Sequence, residues 1–298
     1  MEKNNGNDKI KALIQLLDDP DITVFEEVSK YLIDIGEEVI PHLEKEWEIS
    51  FNDMVQERLE SIIQKIQLNT LQEELYEWMH SDDPGLLRGA WLVARIQYPN
   101  LPFAPLEEKM EKIRKDIWIE LHDKLTALEK VHIFNHILYD LYKLGPNKGD
   151  YFSPQNNFIN VVLESGKGNP VSIAIIYEEI ARKLGLPIRG VNLPGQFILA
   201  YVDPYVIESG KPVTGPEDIL FYISMVQRGA VLGIREIEEY LKQLNDTPLE
   251  PQYYLPCSPF ETIGRMVNNL VFSFKKHNMP EKALLYKKIL DFIRHNRP

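Results

Sequence analysis

The stretch Gly168-Asn169-Pro170-Val171-Ser172-Ile173-Ala174-Ile175-Ile176-Tyr177-Glu178-Glu179-Ile180-Ala181-Arg182-Lys183-Leu184-Gly185-Leu186-Pro187 decides the fold. Asn169 suits an N-cap, because its side-chain oxygen can accept a first-turn backbone N–H. Pro170 suits the first helical position, where the N–H it lacks has no intrahelical partner. Gly185 suits the position just past the helix, with Pro187 beyond it as a stop. Between these signals Ile173, Ile176, Tyr177, Ile180 and Leu184 recur at helical spacing. They predict a helix over 170–184 that is buried along one side.

A strand is expected after it. The run Gln196-Phe197-Ile198-Leu199-Ala200-Tyr201-Val202 is short, apolar and bounded by Pro194-Gly195 and Asp203-Pro204. That length and those flanks favour a strand over a helix. Ile219-Leu220-Phe221-Tyr222-Ile223 is a second candidate strand. Upstream, Gly145-Pro146-Asn147-Lys148-Gly149-Asp150 is the clearest break in the chain, because Gly and Pro cluster there with polar residues. Before that break the pattern is helical throughout. Leu13, Leu16 and Leu17 share a face, a second amphipathic stretch runs from about Val24 to Ile35, and Gly36 closes it. After Cys257 the chain reads as a helical hairpin turning at His277-Asn278-Met279-Pro280. The predicted class is α+β, predominantly α, with a small antiparallel sheet. The expected parts are a helical segment over 1–70, helices over 71–149 leading into the core, the core over 150–244, and the C-terminal hairpin over 245–298.

Composition narrows the function. Of 298 residues, 44% are hydrophobic and 26% charged, which are ordinary globular values. Lys and Arg number 33 against 45 Asp and Glu, a net charge of −12. Such a balance disfavours nucleic-acid backbones and anionic membrane surfaces. No apolar run approaches the ~20 residues of a membrane span. The polar start Met1-Glu2-Lys3-Asn4-Asn5-Gly6-Asn7-Asp8 carries no secretory pattern. One cysteine, Cys257, allows no intrachain disulfide and no Cys-rich zinc site. A cytoplasmic location is the expectation.

Four blocks in order carry a family resemblance: Tyr151-Phe152-Ser153-Pro154-Gln155-Asn156-Asn157-Phe158, Val162-Leu163, Gly168-Asn169-Pro170-Val171-Ser172, and Leu193-Pro194-Gly195-Gln196-Phe197. Together they resemble the core of the SirB-type branch of the transglutaminase-like superfamily. Tyr98-Pro99, Gly229-Ala230-Val231-Leu232 and Pro256-Cys257-Ser258 before Arg265-Met266-Val267-Asn268-Asn269-Leu270 add to it. The N-terminal alternation of short helices resembles one or two HEAT-type repeats, too few to stand alone, so that segment is expected to pack on the remainder of the chain.

The resemblance implies a papain-like core with a cysteine at the start of the central helix, a histidine on the next strand and an aspartate or asparagine after it. There the helix N-terminus lowers the thiol pKa, and the imidazole takes the proton. In this chain the matched cysteine position falls at or near Pro170, the histidine position is Gln196, and Asp203 is loosely placed as the third group. Proline carries no nucleophile, and an amide cannot act as a general base.

Other residues could supply chemistry. Ser172 lies near the helix start, either as a nucleophile or as a partner of first-turn backbone groups. Cys257 lies far past the core block and reads as a buried structural thiol. Glu129, His132, His136 and Asp140 fall on one side of a helix, where they form either a solvated polar face or a metal site built on His132 and His136. Asn156, Asn157, Asn169 and Gln196 are expected to converge, either as an amide-lined ligand site or as structural caps. The expected function is a non-catalytic transglutaminase-like protein that binds or regulates, with a protein or peptide partner, no cofactor and no metal. The alternative is a hydrolase or acyl transferase of altered chemistry using Ser172 and Asp203 or a recruited metal. A third reading makes the helical flanks an adaptor surface.

Overall fold

A computed structural model describes residues 2–244 and 250–297. The start of the expected C-terminal part, residues 245–249, therefore lies outside the described residues. The chain divides into two compact units, Met1–Leu75 and Tyr76–Pro298.

The first unit contains α1 (Glu2–Gln15), α2 (Ile22–Ile35), α3 (Ile40–Ile49) and most of α4 (Asp53–Met79). Asp21 caps α2 by accepting the Thr23 N–H at 2.9 Å. Gly36 ends the helix at φ +82°, a conformation that a Cβ disfavours. Leu17, Leu32, Val39, Leu43 and Leu59 are completely buried and form a core with Ile14, Val28, Ile62 and Ile66. Arg58 donates from Nη1 to the carbonyls of Leu17 and Asp19 at 2.7 and 2.6 Å, fixing the α1–α2 turn on α4.

The second unit begins with α5 (Leu86–Arg95), α6 (Ala104–Glu120) and α7 (Ala127–Asn135), which runs on into a π-helical turn over His136–Leu141. Two short segments, β1 (Gly145–Pro146) and β2 (Lys167–Gly168), pair in parallel on either side of α8 (Ile159–Ser165). The sequence break at 145–150 is thus partly stitched. Then come α9 (Pro170–Lys183), β3 (Ile188–Val191), β4 (Ile198–Val202), α10 (Pro204–Glu208), β5 (Ile219–Ser224), β6 (Ala230–Leu232) and α11 (Ile234–Gln243). After α12 (Pro251–Tyr254), the antiparallel pair α13 (Pro259–Lys276) and α14 (Pro280–His295) completes the chain.

The four strands β3 to β6 form one antiparallel meander in chain order. All five residues of β4 are buried, because both faces of the sheet are covered. Ile198, Ala200 and Tyr222 share a cluster with Ile237 and Leu241 of α11. Leu199 and Tyr201, with their cross-strand partners Ile223 and Phe221, point to the opposite face, toward α9.

The central helix departs from the one-sided expectation. Val171 through Ala181 are all buried, eleven consecutive residues. Helices α5, α6, α8 and α13 surround it together with β3 and β4. A helix apolar around its whole circumference belongs in the middle of a core, and Val171, Ala174 and Ile175 supply the faces that the stripe omits. Glu179 is buried with partners: its Oε2 accepts the Leu86 N–H at 3.0 Å, and its Oε1 accepts from Arg182 Nη2 at 2.8 Å. It thereby satisfies an orphan donor at the start of α5 from a different helix. The C-terminal pair is not an appendage, since α13 packs on both α5 and α9.

Candidate functional site

The start of α9 is a closed hydrogen-bond network. Asn169 has extended backbone angles and accepts the Ser172 N–H on Oδ1 at 3.0 Å, while Ser172 Oγ accepts the Asn169 N–H at 3.0 Å. This reciprocal box satisfies two donors that a helix start otherwise leaves open. The single Ser172 O–H is shared between the carbonyls of Asn156 and Asn169, at 2.8 and 3.0 Å from Oγ, and the residue is fully buried. Asn169 Nδ2 donates to Asn157 Oδ1 at 2.5 Å. Asn156 Nδ2 donates to the carbonyls of Asp150 and Tyr151, and its Oδ1 accepts from Asn147 Nδ2 at 3.1 Å. Gly168 is required here by space. A Cβ on it would lie 2.5 Å from Ser172 Oγ and 2.9 Å from Val162 Cγ1. Pro170 occupies the first helical position, half-buried.

Three of the four predicted amides thus come together with Ser172, and Gln196 does not. Among the described residues no hydrogen bond joins Gln196 to that network. Gln196 lies in the turn before β4, which begins at Ile198 rather than at 196. Gly195 at φ +74° makes that turn, and the Gln196 N–H closes it on the Leu193 carbonyl at 3.1 Å instead of entering the sheet. The Gln196 side chain faces the Tyr240 hydroxyl, which donates to the Pro194 carbonyl at 3.0 Å. Asp203 accepts the Tyr205 N–H at 2.9 Å and caps α10.

The helix-face group lies on the surface. Glu129 is held in a capping box with Thr126, and those bonds from Thr126 keep its carboxyl below the usual range. His132 and His136 are exposed. Asp140 meets His136 Nδ1 at 3.3 Å and Arg228 Nη2 at 2.6 Å. The α-helical register assumed for the set is broken at His136, where the π turn begins. Asn135 instead backs the core, donating to the Gly229 carbonyl at 2.9 Å. Among the described residues no three His, Cys, Asp or Glu side chains are placed to hold a metal ion.

A second polar cluster, which sequence reasoning missed, gathers at the edge of β3. The Cys257 N–H donates to the Gly190 carbonyl at 2.8 Å, laying the segment before α13 along that edge. Burial pushes the Cys257 thiol up to about 12, so it is an unreactive neutral thiol at pH 7. Glu178, beside Gly190, is buried with Oε2 unpartnered, and desolvation raises its carboxyl to about 8 against the pull of Arg189. Arg265 of α13 donates from Nη1 to Asn192 Oδ1 at 3.0 Å, with Tyr240 and Cys257 close by. A cavity of about 390 Å³ opens here, lined by Asn192, Tyr253, Leu255, Cys257 and Glu261 among others. The available sequence signals were an arginine in an otherwise apolar stretch of α13 and the Glu178-Glu179 pair inside an apolar helix.

A long buried helix with an antiparallel meander behind it is consistent with a protein of the transglutaminase-like class. The family model for the transglutaminase-like superfamily matches residues 104–268, more than half of the chain, and the chain belongs to that superfamily. A UPF0162 protein of Xylella fastidiosa is 29% identical over 140 residues, 44% of this chain and 49% of the relative. UPF0162 protein PA3419 of Pseudomonas aeruginosa is 26% identical over 193 residues, 63% of this chain and 64% of the relative. Human F-box only protein 21 is 27% identical over 195 residues, 65% of this chain and 28% of that protein. The chain thus spans about half the length of the Xylella relative and less of the F-box protein. No solved structure matches. No helix among the described residues is long and apolar enough to cross a membrane.

Proposed function

We propose that this chain is a non-catalytic member of the superfamily, of the SirB-type branch, that works as a binding or regulatory module in the cytoplasm. The observation that carries this reading is the start of α9: proline stands at the first helical position, and the neighbouring Ser172 is buried and hydrogen-bonded three ways within the protein. A hydroxyl without an adjacent base is a poor nucleophile, and Gln196 offers none. The HEAT-like N-terminal unit, with its own core, and the acidic surface fit a protein or peptide partner of basic character.

The test is turnover of an acetylated glutamine-containing peptide with a primary amine, monitored by mass spectrometry. The expected result is intact peptide and unmodified protein, identical for wild type, Cys257→Ser and Ser172→Ala. Release of ammonia, or an acyl adduct abolished by either substitution, overturns the reading.

A further inference from the structure

The first unit carries almost all of the chain's excess charge. Over 1–75, Lys and Arg number 7 against 18 Asp and Glu, so this unit holds −11 of the chain's −12. It also exposes apolar side chains at one end. The α1–α2 turn and the α3–α4 turn lie side by side there, because Asn52 Nδ2 donates to Asp18 Oδ1 at 2.8 Å and Arg58 reaches the carbonyls of Leu17 and Asp19. Among the described residues of the unit, seven large hydrophobic side chains are exposed, and six of them stand at this end: Leu16, Ile22, Trp47, Ile49, Phe51 and Met54. The seventh, Tyr31, holds the Lys9 ammonium over its ring at 4.5 Å. Phe51 is completely exposed, and Ile22 and Ile49 are 59% and 58% exposed.

The backbone beneath these side chains is held in place. Gln56 Nε2 donates to the carbonyls of Trp47 and Ser50 at 3.2 and 3.0 Å, and Trp47 Nε1 donates to Glu60 Oε1 at 2.9 Å, which ties the end of α3 to α4. A preformed apolar surface costs little to order on binding, and exposed apolar groups gathered in this way mark interaction sites. The surroundings are acidic. The segments that form this end, 16–29 and 46–60, contain ten Asp and Glu and a single cation, Arg58. Arg58 is turned inward onto the Leu17 and Asp19 carbonyls and the Phe25 ring. A basic partner is therefore attracted to this end. Two copies meeting through it would set like charge against like, which argues against self-association. All described elements of the unit are helical, so it offers no sheet edge to an extended strand. A helix satisfies its own backbone and presents apolar and cationic side chains on adjoining faces.

We propose that this end of the first unit docks a basic amphipathic helix of a partner protein, with Phe51 as the apolar anchor and the surrounding carboxylates facing the partner's lysines and arginines. This deepens the binding-module reading and rests on it only for the existence of a partner.

The experiment uses the full chain and a fluorescein-labelled peptide of three Leu-Lys-Lys-Leu-Leu-Lys-Leu repeats, followed by anisotropy. One control peptide keeps the composition in scrambled order, and another replaces each Lys by Glu. The expected result is saturable binding of the basic amphipathic peptide alone, weakened about tenfold or more in Phe51→Ser/Ile49→Ser. Both side chains are exposed, so the double variant should keep the wild-type unfolding midpoint. Glu48→Gln/Glu57→Gln is expected to weaken binding less and to flatten its salt dependence. Trp118→Ser, which removes an exposed aromatic ring from the second unit, is expected to bind like wild type. Absence of binding overturns the proposal, as does equal binding of the scrambled peptide or undiminished affinity in Phe51→Ser/Ile49→Ser. A dimer in sedimentation velocity that dissolves in that variant also overturns it, by making a second copy the occupant. The turnover assay separates the two claims. Acyl transfer with Phe51-dependent binding intact sinks the non-catalytic reading alone, and unchanged peptide affinity in the variant without turnover sinks this proposal alone.

Discussion

Glu178→Gln is expected to remove a large part of the pH dependence of stability between about pH 5 and pH 9. The Glu178 carboxyl is buried in the core between α9 and β3, with Oε2 unpartnered, and desolvation raises it to about 8. Its ordinary value when unfolded is close to 4.5. The folded state therefore binds the proton more tightly. The stability this gives is complete below the unfolded value and is lost as pH rises through the folded one. At 1.36 kcal/mol per pKa unit, the loss by pH 9 is on the order of 3–5 kcal/mol. Arg189 and the Gly190 N–H oppose the shift, and the neighbouring Glu179 adds to it. Urea unfolding at pH 5 and pH 9 reads the effect. Wild type should lose midpoint steeply over that interval, and the variant should lose clearly less. Parallel pH profiles for the two proteins would show that Glu178 is not the titrating group.

Asn169→Ala is expected to cost about 2–4 kcal/mol. Losing a helix N-cap typically costs ~1 kcal/mol. The buried Asn157 Oδ1 is left without the Asn169 amide donor, and the Ser172 N–H is left without its acceptor, at about 1–3 kcal/mol for a buried unpaired group. Gln196→Ala should cost less, because Gln196 is half-buried at a turn and stands outside the buried asparagine network. Thermal unfolding of the two variants tests the contrast directly. Equal losses would mean that Gln196 is as integral to the fold as the asparagine cap.

The features legible in the sequence and those hidden from it divide along physical lines. The ends of α9 were legible because capping is local: Asn169, Pro170 and Gly185 act through the chain next to them. Strands β4 and β5 were legible from short apolar runs between turn residues, though the Gly195 turn displaces the start of β4 by two residues. The complete burial of α9 was not legible, since α5, α6 and α13 come from distant parts of the chain to cover it. Nor was the π turn over His136–Leu141, which has no local signature and changes the register after His136. Asn156, Asn157, Asn169 and Ser172 meet, in bonds to one another and to the backbone. The sequence placed the three asparagines together and left their role open between ligand site and caps. The β3-edge cluster joins Glu178, Asn192, Tyr240, Cys257 and Arg265 through tertiary packing. No spacing in the sequence announces that grouping.

The central proposal is that the superfamily scaffold persists here with the nucleophile position falling at or near Pro170. The most direct measurement is the pH dependence of iodoacetamide alkylation of Pro170→Cys in a Cys257→Ser background. A thiol at the first position of a buried 14-residue helix lies at its positive end. Its pKa is predicted to fall below the ordinary value of about 8.5. A thiol at 170 that titrates at or above that value would contradict the assignment of the α9 start as the vacated catalytic position.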